Sequence, residues 1–108
     1  MSRSRREKIE ALLAEDPADV FLRYSLALEL ESEGAWEAGL SILEDLARLP
    51  VPYVPALHMA ARHLLKRGRI GEARQALREG IEAARAQGET HAAGEMAELL
   101  QSLGEAGA

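Results

Sequence analysis

Apolar side chains recur along this chain at intervals of three and four, the period of a helix with one buried stripe. In "RREKIEALLAED" the stripe is Ile9, Leu12 and Leu13, and Asp16-Pro17 ends it, with Pro17 suited to the first position of a second helix. That second segment, "PADVFLRYSLALELESEG", is apolar on more than one face through Phe21, Leu22, Leu26, Leu28 and Leu30, as a helix covered on several sides must be, and Gly34 stops it. "AWEAGLSILEDLARL" resumes the period with Trp36, Leu40, Leu43, Leu46 and Ala47. The proline-rich "PVPYVP" interrupts it, and Pro55 fits the first turn of the next helix. "PALHMAARHLLKRG" ends at Gly68, "RIGEARQALREGIEAARAQG" at Gly88, and "THAAGEMAELLQSLG" places Ala92, Met96, Leu99 and Leu103 on one stripe. No stretch alternates with period two. The pattern predicts an all-α chain of about six helices, with "EAGA" at residues 105–108 as a frayed tail.

The third and fifth segments echo one another. "GAWEAGLSILEDLARL" at 34–49 and "GRIGEARQALREGIEA" at 68–83 lie 34 positions apart. Across residues 20–50 and 54–84 the identities are Val20/Val54, Ala27/Ala61, Leu30/Leu64, Gly34/Gly68 and Leu43/Leu77. The similar pairs Trp36/Ile70, Gly39/Ala73 and Ala47/Ile81 fall in the same register. A helix-turn-helix unit repeated at this period resembles the tetratricopeptide repeat, carried by "LALELESEGAWEAGLSILEDLARLP" and "AARHLLKRGRIGEARQALREGI". The resemblance implies an α-α superhelix of antiparallel helical hairpins over residues 1–104. Residues 3–15 form an N-terminal half-repeat helix, 17–50 the first repeat, 51–88 the second and 90–103 a capping helix. Gly39 and Ala73 then sit at close helix crossings, while Trp36 and Ile70 plug the turn ends. The departures are Gly80, where an alanine is commoner, and the proline-rich joint.

The same resemblance implies an interaction module or scaffold that binds a peptide or partner helix on the concave side, lined by the first helix of each hairpin. The groove residues it implies are Phe21, Tyr24, Leu28 and Glu31 from the first repeat and His58, Arg62 and Lys66 from the second. His58, Arg62 and Lys66 are spaced i, i+4, i+8 and form one ladder, and His58 brings a group that charges near pH 6.5. Phe21 and Leu28 read equally well as core, and the ladder as a solubility face. A subgroup of such modules holds a C-terminal carboxylate with lysine and asparagine, and this chain has no asparagine.

Composition narrows the chemistry. A chain of 108 residues with 47% hydrophobic and 29% charged content builds one globular core. The absence of cysteine removes disulfides, zinc-thiolate sites and thiol nucleophiles. His58 and His63 lie about 140° apart around a helix, so they share no metal, and Ser25 and Ser41 have no base at useful spacing. No phosphate-loop pattern follows a strand. The expectation is a non-enzyme without cofactor, metal or small-molecule substrate. The N-terminal basic residues precede no uninterrupted apolar run, which makes a membrane span unexpected and the cytoplasm the expected location.

The net charge of −5 is segmented: residues 1–8 carry four basic and one acidic residue, 9–56 two and ten, 57–88 seven and three, and 89–108 none and four. This asymmetry keeps open a second reading, a self-assembling structural protein or weak homo-oligomer. A third, nucleic-acid binding through the basic "HLLKRGRIGEAR", is disfavoured by the overall acidity.

Overall fold

A computed structural model describes residues 4–107, with side chains through Gly104. All its regular structure is helical: α1 (Arg5–Glu15), α2 (Val20–Ser32), α3 (Trp36–Ala47), α4 (Val54–Lys66), α5 (Ile70–Ala86) and α6 (Thr90–Gly107). Each helix packs mainly on its neighbours in the chain, so the molecule is elongated, 51 × 29 × 19 Å. That arrangement is an array of antiparallel hairpins, α2–α3 and α4–α5, flanked by single helices.

Helix ends follow local chemistry. Ser4 opens α1 with a capping box, its hydroxyl accepting from the Glu7 amide at 3.2 Å while its own amide donates to the Glu7 carboxylate. α2 begins at Val20, three residues later than Pro17 suggests. Pro17 and Ala18 form a turn in which the Asp19 amide donates to the Asp16 carbonyl, and the Asp19 carboxylate then accepts from the Leu22 amide at 2.9 Å. A side-chain cap at Asp19 outcompetes proline as the starting signal. α2, α4 and α5 end identically: Gly34, Gly68 and Gly88 have φ of 89°, 73° and 74°. The residue after each donates back to the carbonyl five positions earlier, as in Ala35 to Leu30 at 2.8 Å. Gly104 has no such geometry, and α6 runs on through Gly107, so the backbone of 105–107 is helical where a frayed tail was expected; Ala108 lies outside the described residues.

The echoed positions are the framework of the core. Ala27, Ala61, Leu43 and Leu77 are wholly buried, Leu30, Leu64 and Val54 nearly so, Val20 packs partly buried against them, and the remaining identity is the turn glycine. Gly39 faces the backbone of α2, where an added Cβ would stand 2.7 Å from the Ala27 carbonyl oxygen. Gly80 faces side chains instead. A Cβ there would meet the Met96 sulfur at 2.5 Å and Leu57 at 3.2 Å, so the glycine lets α6 seat its buried methionine between α4 and α5. The proline-rich joint is fixed at two points. The Tyr53 amide donates to the Leu46 carbonyl at 3.1 Å, and the Gln87 side-chain amide donates to the Pro52 carbonyl at 2.8 Å.

An ionic seam ties the two hairpins together. Glu31, only 10% exposed, accepts from Lys66 at 3.2 Å and from Arg67 at 3.2 and 3.4 Å, and buried His63 stands 3.8 Å away. Arg67 also lies over the Trp36 ring at 4.8 Å, with Arg69 at 5.9 Å. Trp36 thus closes the turn end with guanidinium groups as its lid. Burial opposes the charge on Glu31, but the Lys66 hydrogen bond and the charges of His63 and Arg67 outweigh it and hold the carboxyl below its ordinary 4.5.

Two outcomes follow for stability. Gly39→Leu lowers the urea midpoint by the equivalent of about 1–3 kcal/mol, because the carbonyl it meets belongs to backbone and cannot swing aside. An unchanged midpoint would remove Gly39 from the crossing. For the seam, a depressed carboxyl stabilises fully above its ordinary value and ceases to do so as pH falls through its folded value. Glu31→Gln therefore lowers Tm at pH 7, and the gap to wild type closes as pH drops below about 4.5. A gap that stays constant down to pH 3 contradicts the seam.

Candidate binding groove

The first helices of the array, α2, α4 and α6, share one face and enclose a depression of about 210 Å³. Its walls are Tyr24 from α2, Val54, Pro55, His58, Met59 and Arg62 from α4, and Ala92 and Glu95 from α6, with Glu89 just before it. The volume suits one side chain, below the range typical of sites that enclose whole small molecules. Tyr24 is held by an edge-to-face contact with Tyr53, ring centroids 5.6 Å apart at 70°. The joint between repeats therefore positions this groove residue directly.

The polar groups form a graded set. Arg62 donates from Nε to His58 Nε2 at 3.3 Å, which fixes that nitrogen as an acceptor. Burial, and then the Arg62 charge, push the His58 pKa below 6.5, against a smaller opposite pull from Glu95. Burial and the neighbouring Tyr53 push the Tyr24 phenol up against Arg62, so its hydroxyl stays protonated. At neutral pH the depression presents a phenol, a neutral imidazole, one guanidinium and two carboxylates. The expected charging of His58 near pH 6.5 is displaced to lower pH.

Of the residues the sequence pointed to, Tyr24, His58 and Arg62 come together here. Phe21 stands outside the depression and is 62% exposed, and Leu28 is half-buried and does not line it. Glu31 and Lys66 bind one another in the seam, so their charges are engaged within the molecule. Ala92 and Glu89 also line the depression, and the 34-residue step leads to them. It runs from Tyr24 through His58 to Ala92, and from Phe21 through Pro55 to Glu89. Glu95 lies off that register, and its position follows only from how α6 is seated on α5.

Among the described residues no group of three or more histidine or acidic side chains could hold a metal ion, and no helix is long and apolar enough to cross a membrane. No protein-family model and no curated protein matches the chain. Solved structures do. The solution structure of a tetratricopeptide repeat domain protein from Salinibacter ruber is 26% identical, with a TM-score of 0.77 over 82% of this chain and 89% of that one. A protein from Bordetella parapertussis, also solved in solution, is 25% identical, with a TM-score of 0.79 over 96% of this chain and 90% of its own. Six helices among the described residues, the 34-residue step, glycine turns and these likenesses give the chain the fold of a small tetratricopeptide-like protein.

Proposed function

We propose that the protein is an interaction module that grips one side chain of a peptide or partner helix in the Tyr24–His58–Arg62 depression. A fold of this kind generally serves protein interaction rather than catalysis, and the Salinibacter ruber likeness supports that coarse assignment. The observation that carries the finer reading is the convergence of an aromatic ring and a guanidinium from two different helices on one small, partly apolar recess. Such groups contribute large contact area and a planar donor fork at little cost in rotamer freedom.

The alternatives lose force for a common reason. Arg5 pairs with Glu29 at 3.9 Å, Arg6 with Glu33 at 2.9 Å, and Lys66 and Arg67 with Glu31. Arg69 chelates Glu72 at 2.8 and 2.9 Å, and Arg74 donates to the Leu103 carbonyl at 2.7 Å. Four basic residues, Arg5, Arg6, Lys66 and Arg67, are thus paired with acids of residues 9–56 within one molecule. That leaves less for charge-driven assembly or for a phosphate backbone.

Pull-down from lysate identifies the partner, and titration with that partner tests the groove. Arg62→Ala weakens binding by about 1–3 kcal/mol without moving Tm, since Arg62 is exposed in the free protein. Tyr24→Ala weakens binding and also lowers Tm, because it breaks the ring pair with Tyr53. Equal affinity for wild type, Tyr24→Ala and Arg62→Ala would move the interaction elsewhere.

His58 supplies a test that needs no partner. Its NMR titration midpoint lies below 6.5 and rises in Arg62→Ala, where one of the two depressing influences is gone. Because the neutral form is favoured in the fold, the stability His58 contributes is present above 6.5 and is lost as pH falls through its folded value. A wild-type midpoint at or above 6.5 contradicts the half-buried, Arg62-bonded placement.

A further inference from the structure

The opposite face carries a larger concavity. α3 and α5, the second helices of the two hairpins, diverge over α4 and leave a furrow of about 530 Å³. Leu57, Ala60 and Leu64 of α4 form its floor. Its end runs into a second hollow of about 400 Å³ beneath the proline-rich joint, and the two share Pro52 and Glu79. The joint keeps the furrow open, because Pro50 and Pro52 stop α3 from continuing alongside the longer α5. At the hollow's edge stands Val51, the most exposed large hydrophobic side chain of the described residues at 69%.

The rim has one dominant sign. Glu44 borders the furrow from α3, Glu72 and Glu79 from α5, and Glu82 borders the adjoining hollow. Glu72 is satisfied by Arg69, whereas Glu44, Glu79 and Glu82 take part in no ion pair among the described residues. The lone cation on the rim, Arg48, pairs with Asp45 at 3.7 Å. An apolar floor, an exposed valine and three uncompensated carboxylates complement a positively charged strand of chain with aliphatic side chains between its charges. From this charge complementarity we propose that the furrow between α3 and α5 docks a basic peptide segment, its aliphatic side chains on Leu57, Ala60 and Val51 and its cations on Glu79, Glu82 and Glu44. The site is separate from the Tyr24 groove and stands whether or not that groove binds.

The probe is a fluorescein-labelled Lys-Leu-Lys-Lys-Leu-Lys peptide, followed by anisotropy at low ionic strength, with the glutamate counterpart as control. The lysine peptide binds, the glutamate peptide does not, and added salt weakens the complex. The double variant Glu79→Gln/Glu82→Gln weakens it about five-fold, whereas Glu15→Gln/Glu98→Gln, which removes the same charge elsewhere, changes it less than about two-fold. All four side chains are exposed, and matching Tm values confirm that each variant is folded. Equal losses from both pairs would mean attraction to net charge alone and would overturn the proposal, as would failure of the lysine peptide to bind. Loss of binding in Arg62→Ala would relocate the peptide to the other groove. A dimer in sedimentation that Glu79→Gln/Glu82→Gln dissolves would give the furrow to a second copy of the chain, also overturning it.

Discussion

The closeness of α2 and α3 at Gly39 sets the geometry on which the rest depends. With the Ala27 carbonyl 2.7 Å from where a Cβ would stand, the two backbones approach as near as helices can, and the hairpin angle is fixed by backbone atoms. The second hairpin uses wholly buried Ala73 and Ala61 at the equivalent positions, so both units take a common shape from small residues. Two like hairpins stacked side by side then align α2, α4 and α6 on one face and leave α3 and α5 apart on the other. Both concavities follow from that alignment.

What holds the stack is more varied than what forms each hairpin. The α2–α4 boundary combines the charged seam around Glu31 with the Tyr24–Tyr53 ring pair, whereas the boundary to α6 rests on Met96 seated against Gly80 and Leu57 and on the Arg74 hydrogen bond to the Leu103 carbonyl. The first is sensitive to pH because it contains Glu31 and His63. The groove joins these two boundaries. Its Tyr24 side belongs to the ring pair and its Ala92 and Glu95 side to the Met96 seat, so its width depends on both.

Features set by local backbone chemistry were legible in the sequence. The ends at Gly34, Gly68 and Gly88 require positive φ, a need visible in a single residue. Pro17 misled because a proline fits a turn as well as a first helical position, and Asp19 three-dimensionally decides between them through its cap. The tail reads as frayed because it has little to bury, yet the backbone of α6 stays helical through Gly107. In the groove, Tyr24 and His58 were legible because one 34-residue step relates them. The engagement of Glu31 with Lys66 and Arg67 was not, because it depends on the angle between hairpins, which no local pattern encodes. The furrow was hidden for the same reason.

Hairpin stacking continues into α6, so that three helices rather than two build the groove. A single NOESY spectrum of the free protein tests it most directly. The expected cross-peaks run from the Met96 methyl to the Gly80 α-protons and to Leu57, together with ring cross-peaks between Tyr24 and Tyr53. A Met96 methyl showing contacts only within α6, or contacts to α1 or α3, would contradict it.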